Sequence, residues 1–327
     1  MQEATRENTD SPIDISIIIV TYKSKGYILR CIESVLESAR GLATEIIIVD
    51  NASGDGLGDL LHGQFPELIL IENEKNEGFA RGVNRGAKRA LGRYLHILNP
   101  DTELCPDTLE IMFKFIETHP MCCLVGGRTV DDAGRNFPNC RSLPNIANLI
   151  QYPMSFLLRH KELKKPRQYL LDLWEQNETI DVTECNGYIT GASIFIGSDF
   201  FKKMGMFDGQ YFLSYEDCDF GLRIARSGFH AFLVPEALLV HFGERSVFKN
   251  PRSRLYYADA YVRYIRKNLN FLHGTAYKIC FFLGVLTWVM WRFLRMKGEE
   301  RPILLQILMR FIPYWLGGPP RLPEQDG

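Results

Sequence analysis

"YLHILNPDTEL", residues 94–104, decides the reading of the fold. Its first half, Tyr94 to Leu98, is a short apolar run of strand type. Its second half is a polar corner built on Asn99-Pro100-Asp101. Proline holds its own φ at about −65° and pushes the residue before it towards extended geometry, so the strand should end at Asn99. Asp101 is then fixed just past the carboxyl end of a strand, where open α/β sheets bind ligands. An ordinary turn uses the same residues, so the neighbouring segments have to separate the two readings.

Three earlier runs repeat the plan. "ISIIIV" (15–20) leads into "TYKSKG" and then a helix with Ile28, Cys31, Ile32, Val35 and Leu36 on one face. "EIIIV" (45–49) leads into "DNASGDG", and "LILIE" (68–72) into "NEKNEGFARGVNRGAKRAL", where a helix begins near Phe79. Continuous apolar strands alternating with helices predict an α/β fold. Its central sheet is mostly parallel, has helices on both faces and is joined by right-handed crossovers. The sheet is of a nucleotide-binding type, yet no GxGxxG follows the first strand and no GxxxxGK[ST] occurs anywhere. Dehydrogenase and P-loop readings lose their support. What remains is acidic residues at strand ends, Asp50 and Asp101.

The 327 residues, 46% hydrophobic and 24% charged, suffice for one large domain or a domain with an appendage. The net charge of −1 hides an asymmetry: Arg252 to Arg301 holds ten Lys/Arg against three acids, or +7, leaving −8 for the rest. A basic end of this kind suggests a polyanionic surface, lipid headgroups or nucleic acid. Eight cysteines without a CxxC pair read as buried thiols of a reducing compartment. Residues 1–12 are polar and acidic and read as a disordered tail that fits no secretory signal. Regularity weakens over 139–184, taken as a helical insertion. It returns at "YITGASIFIGSDFFKKMGMFDGQYFLSYEDCDFGLRIARSG", which predicts a strand, a short helix, a glycine-bounded turn and a second helix before a final strand. The organisation expected is a catalytic-size domain over 13–250 and a basic, apolar helical region over 251–327.

Four polar elements carry candidate chemistry: Asp50, Asp101, the acids Glu216, Asp217 and Asp219 of "EDCD", and His241 of "VHFGERS". A hard divalent cation prefers carboxylate oxygen and is commonly shared with substrate phosphates. Asp101 and His241 could supply two ligands and leave positions open for a diphosphate, with imidazole suiting Mn2+ better than Mg2+. A core histidine at a strand end is the plainer reading of His241. Acids in a helix's first turn are favoured by its dipole, but three within four residues exceed what a cap requires. Mutual repulsion and partial burial would raise one pKa, which suits a base that takes a proton from a hydroxyl.

With these pieces in place the chain resembles a family-2 inverting glycosyltransferase of GT-A fold, in the rhamnosyltransferase-like branch. The likeness rests on "SIIIVTYKS", "IIIVDNASGDG", "NEGFARGVNRGAKRALGRYLHILNPDTEL", "TGASIFIGSDFFKKMGMFDGQYFLSYEDCDFGLRIARSG" and "HFGERS", in that order over most of 15–246. The resemblance implies that Thr21 and Tyr22 line a nucleotide pocket and that Asp50 accepts a pyrimidine N–H. It places Asn51 and Ser53 beside the nucleoside, and Asn76, Gly78, Phe79 and Asn84 under ribose and diphosphate. Asn99-Pro100-Asp101 stands where the family has DxD. Asp101 would bind the metal (Mg2+ or Mn2+), His241 would complete its site, and Asn99 replaces the first acid, leaving one charge fewer. Gly191 and Ala192 would approach the donor sugar. Asp217 would be the catalytic base, with Glu216 and Asp219 placing acceptor and helix. Lys23, where a small polar residue is usual, leaves donor choice open; Arg81 and Arg85 either reach phosphate or face water.

The C-terminal region places Tyr257, Tyr261 and Tyr264 at helical spacing among Arg263, Arg266 and Lys267, followed by the thirteen-residue uncharged run Ile279–Trp291. That run is short of the roughly twenty residues of a spanning helix. Packing on the catalytic domain is one reading. The other is a helix lying in the interface, with cations on anionic lipid. The expectation is a cytoplasmic enzyme held at the inner face of the plasma membrane. It would take a nucleotide-diphosphate sugar, rhamnosyl from dTDP-rhamnose or a hexose from a UDP-sugar, to a lipid-linked saccharide or glycan. A non-catalytic sugar-nucleotide or glycan-binding module is the rival from another class. A nucleic-acid partner is disfavoured because the positive charge lies beside an apolar run. A homo-oligomer is compatible with the sequence, which does not fix the oligomeric state.

Overall fold

The computed structural model describes residues 12–137, 139–144, 178–243 and 251–269, with 275 and 279. The N-terminal tail, most of the 139–184 stretch and the apolar run after Ile279 lie outside them. The described residues up to Leu143 and from 178 to Gly243 belong to one compact unit, while Pro144 and Pro251–Asn268 belong to a second.

In the first unit β1 (Ile15–Thr21), β2 (Thr44–Asp50), β3 (Ile69–Glu72) and β4 (Tyr94–Leu98) run parallel, in the order β3-β2-β1-β4. All seven residues of β1 are buried, as a strand covered on both faces requires. Its alternate residues feed two cores. Ile15, Ile17 and Ile19 pack with α1 (Lys25–Ser38), α2 (Leu57–Gln64) and α4 (Thr108–Thr118). Ile18 and Val20 pack with α3 (Phe79–Arg89), α5 (Ser198–Lys203) and α6 (Glu216–Ser227). Gly82 and Gly86 explain the glycines of α3: a Cβ on either would lie 2.7 or 2.6 Å from Val20 or Ile18. One helical turn of missing side chains lets α3 lie directly on β1. The buried face of α1 is Ile28, Cys31, Ile32, Val35 and Ser38; Leu36 is 41% exposed instead. It lies about 100° round the helix from Val35, beyond the edge of the buried stripe.

The sheet continues through the strand and the final strand expected on either side of α5 and α6, and through others that the hydrophobic pattern does not announce. β10 (Ser193–Gly197) pairs antiparallel with β4 and with β6 (Cys122–Val130), and β11 (His230–His241) lies parallel to β6. β5 (Thr102–Leu104) and β8 (Ile180–Asp181) add antiparallel to β11. The sheet is therefore mixed and mostly parallel. Both described ends of the 139–184 stretch, expected to be helical, are strand: β7 (Cys140–Ser142) pairs with β9 (Gly187–Ile189) in a separate ribbon, and β8 is the other. Seven described cysteines are free, five of them buried. In the second unit α7 (Pro251–Asn268) has Tyr264 and Ile265 buried and Tyr261 partly buried. No described helix is long and apolar enough to cross a membrane.

Candidate active site at the carboxyl rim of the sheet

The parallel strands bring their carboxyl ends to one rim. Thr21 ends β1 level with Asp50, which ends β2, and Asn51 N–H bonds Thr21 O at 2.9 Å. Asp50 accepts Ser53 N–H (3.2 Å to Oδ2) and the Ser53 hydroxyl, and Ser53 Oγ in turn accepts Lys23 N–H at 2.8 Å. Two donors, the Ser53 N–H shared between both oxygens and the Ser53 hydroxyl, meet the carboxylate, which keeps acceptor capacity for a ligand donor. Lys23 and Ala52 both have left-handed φ, 54° and 59°, a conformation that costs ordinary residues energy and concentrates at functional sites. Tyr22 is 41% exposed at this corner, and Lys23 Nζ stands 5.2 Å from its ring centroid. Thr21 is fully buried, and its hydroxyl has no hydrogen-bond partner among the described residues.

Asn51, expected beside the nucleoside, and Asn76 and Asn84, expected under ribose and diphosphate, hydrogen-bond within the fold through their carboxamides. Asn51 Nδ2 donates to Gly78 O (3.1 Å) while its Oδ1 accepts from Asn73 (2.7 Å). Asn76 Oδ1 takes the Gly78 N–H at 2.9 Å. Asn84 brackets Phe207, giving to its carbonyl at 2.7 Å and taking its N–H at 3.1 Å. Gly78 must be glycine: its φ is 85°, and a Cβ would stand 2.3 Å from Phe212 O. Phe79 N–H donates to that same carbonyl at 2.8 Å. Arg81 bonds Gly209 O and Arg85 pairs with Glu77.

The Asn-Pro-Asp corner is a hydrogen-bonded turn, Thr102 N–H to Asn99 O at 3.2 Å, with proline at the position that favours it. Below it the buried Cys31 thiol donates to Asn99 O; burial, then Asp101 and Glu103, push that thiol's pKa up. Thr102 pairs with His241 across β5 and β11. This brings Asp101 Oδ1 to 3.3 Å from His241 Nε2. Two ligands at about 2.1 Å from one ion and at right angles to each other stand about 3.0 Å apart. Asp101 and His241 therefore fit adjacent corners of an octahedron. His241 is 6% exposed, and its Nδ1 has no partner among the described residues.

Asp217, partly exposed in the first turn of α6, accepts Gly191 N–H at Oδ2 (2.9 Å) and Cys218 N–H at Oδ1 (2.7 Å). Burial raises its pKa, against those two N–H donors and the positive charge of Arg141. Glu216, 4% exposed with Oε2 unpartnered, is pushed well above the usual carboxylate range by burial and then by Asp217. The two residues before it, Ser214 and Tyr215, both have left-handed φ, 69° and 70°. Asp219 faces the other way: fully buried, it accepts Arg223 Nε at 3.2 Å and the Tyr211 hydroxyl at 3.4 Å. Its carboxylate anchors α6.

A short stretch of backbone links the Asp101 corner to the Asp217 carboxylate. Leu98 pairs with Ser193, and Asn99 N–H donates to Ala192 O at 3.0 Å. Ala192 thus abuts the Asn-Pro-Asp corner while Gly191 beside it holds Asp217. A Cβ on Gly191 would sit 3.2 Å from Phe79 and 3.8 Å from Asp217 Oδ2. A second cluster, Asp181, Glu184 and His230, has ligand atoms within 4.8 Å of one another. His230 begins the twelve-residue strand that His241 ends, on the order of 35 Å away by strand rise. It cannot serve the same cation.

The family model described as glycosyl transferase family 2 matches residues 16–193, more than half of the chain. The chain belongs to glycosyl transferase family 2. The Mycobacterium tuberculosis N-acetylglucosaminyl-diphospho-decaprenol L-rhamnosyltransferase is 24% identical over 253 residues, 74% of this chain and 80% of that protein. S. aureus TarS 1-349 superposes with TM-score 0.56 at 18% identity, covering 92% of this chain and 80% of that one. The Pyrobaculum calidifontis mannosyltransferase PcManGT, solved with GDP-Man and Mn2+, gives 0.56 at 16% identity, covering 95% and 86%. The fold of this family-2 glycosyltransferase is GT-A. Its sequence hides Asn139, Thr190 and Arg141, which gather behind Gly191 and Asp217; no motif marks them, because they meet only through the β7–β9 ribbon.

Proposed function

We propose that this glycosyltransferase moves a sugar, with inversion, from a nucleotide-diphosphate sugar to a hydroxyl of a lipid-linked or polysaccharide acceptor in cell-surface glycan synthesis. The observation that carries the reading is the short bridge Asn99–Ala192–Gly191–Asp217, which ties the Asp101/His241 corner to the Asp217 carboxylate. Asp101 and His241 would hold a divalent cation, Mn2+ or Mg2+, which would supply positive charge against the negative charge building on the leaving diphosphate. Asp50 and Ser53 meet the base, with Thr21 and Tyr22 at the pocket's edge. Asn51, Asn76 and Asn84 act through the backbone of Gly78 and Phe207, shaping the wall that Phe79 completes.

Asp217 takes the proton of the acceptor hydroxyl as that oxygen forms its bond to the anomeric carbon. The bond from that carbon to the diphosphate oxygen breaks, and its electron pair leaves with the nucleoside diphosphate. A pKa raised by burial, yet held back by two N–H donors, suits a base that must be ionised before attack and protonated after it. The Glu216 carboxyl, kept neutral, limits like charge beside the base.

Rhamnosyl from dTDP-rhamnose is the donor we favour, supported by the activity of the M. tuberculosis relative. Transfer of a hexose from UDP-hexose is the second reading, since the S. aureus TarS fold also binds UDP-GlcNAc. We also propose that residues 251–327 hold the enzyme on the inner face of the plasma membrane; recovery of all full-length protein in a salt-washed, detergent-free supernatant would reject this. The test of function is a thermal-shift panel of sugar nucleotides with and without Mn2+, because a bound ligand raises the midpoint. A matched donor should raise it only with metal, Asp101→Ala should abolish that rise, and Asp217→Asn should keep it while losing transfer. Normal transfer by Asp217→Asn would overturn the assignment of the base.

A further inference from the structure

We infer that Asn139 is a positioning residue for sugar transfer: it latches the segment Thr190–Ser193 so that Gly191 N–H meets the Asp217 carboxylate. The inference rests on Asp217 being the base.

Asn139 stands one residue before β7 and is 1% exposed. Its backbone carbonyl accepts Thr190 N–H at 2.9 Å, and its Oδ1 accepts the Thr190 hydroxyl at 2.5 Å. Its Nδ2 donates to Ser193 O at 3.2 Å and to Gly127 O at 3.4 Å. One planar amide therefore grips both ends of a four-residue segment and ties it to β6. Only Gly191 and Ala192 are left between the grips, and these two make the functional contacts: Gly191 N–H to Asp217 Oδ2, and Ala192 O from Asn99 N–H. Asn139 bonds neither carboxylate. It fixes the bridge on which both depend.

The grip needs a donor and an acceptor on one short, flat side chain. An ionised aspartate cannot donate, and alanine does neither. The far end is also pinned, since the Ser193 hydroxyl bonds His96 Nε2 at 2.8 Å in the sheet interior. The titratable groups that face Asp217 are Glu216 from its own helix and Arg141 from β7, two residues beyond Asn139. The ribbon thus gives the base a fixed N–H and a positive field.

The test measures transfer against pH for full-length Asn139→Ala, Thr190→Val and Thr190→Ser. A loosened Gly191 N–H no longer favours ionised Asp217, so the acid limb of kcat should move up by about one pH unit. A lost hydrogen bond to a charged group also implies a fall in kcat of about tenfold to a hundredfold. Donor KM should stay within about twofold, and Thr190→Ser, which keeps the hydroxyl, should give the wild-type profile. Should Asn139→Ala fail to fold, Thr190→Val decides. Folded Thr190→Val with wild-type kcat and acid limb overturns the inference. Asp217→Asn separates the two levels: if it transfers normally, the base is wrong; if it is dead while Thr190→Val behaves as wild type, only the latch is wrong.

Discussion

Replacing Glu216 by glutamine makes the energetics of the acid pair measurable. Glu216 opens α6 with 4% exposure, one oxygen unpartnered and Asp217 next in the chain. Burial, then the Asp217 charge, lifts its pKa well above the usual carboxylate range. In the unfolded chain it ionises near its ordinary value of about 4.3. Below that pH both states are protonated and the group favours neither. Above it the unfolded chain gives up a proton that the folded protein keeps. Wild-type stability therefore falls as pH rises, until the folded-state pKa is reached. The slope for one such group is about 1.4 kcal/mol per pH unit. Glu216→Gln has nearly the shape of the protonated acid and does not titrate. Whatever the amide itself costs is constant with pH, and Asp217 sees a neutral neighbour in both proteins. The variant's stability minus that of wild type should thus grow by about 1.4 kcal/mol between pH 5 and pH 6. Urea unfolding followed by circular dichroism at several pH values gives that difference directly. A difference that stays flat, or falls, as pH rises would show that Glu216 ionises normally in the fold and refute the reasoning.

Two further substitutions test how α6 is placed. A Cβ on Gly221 would stand 2.4 Å from the Cβ of Tyr188 on β9, with no flexible tip to yield; Gly221→Ala should cost about 1–3 kcal/mol by urea unfolding and lower kcat together with the melting temperature. Ser214 is held at φ 69°, so Ser214→Gly should stabilise the protein by about 0.5–1 kcal/mol in the same assay, with metal-dependent donor binding unchanged.

The first four strands were legible because each is a continuous apolar run, buried throughout in β1 and β4 and only partly in β3 at the edge, and the Asn-Pro-Asp corner because proline forces its bend. β5, β7, β8 and β9 were not, since each has only two or three residues and owes its state to a partner strand far off in sequence. The same limit applies at the site. Asp101, His241 and Asp217 stand out as acids and a histidine at strand ends and in a helix's first turn. Asn51, Asn76 and Asn84 look like ligand contacts by resemblance, yet their carboxamides brace Gly78 and Phe207. Arg81 and Arg85 could as well have reached phosphate; Gly209 and Glu77 hold them. Asn139 looks like nothing until Thr190, 51 residues on, folds against it.

The account stands on acceptor oxygen and leaving diphosphate occupying opposite sides of one anomeric carbon, with Asp217 serving the first and the Asp101/His241 corner the second. The coupling constant of the anomeric proton in the transferred sugar, read by NMR on product made from a donor of known configuration, tests this most directly. The account predicts the configuration opposite to the donor's, in product whose formation requires Asp217; a product with the donor's own configuration would contradict it.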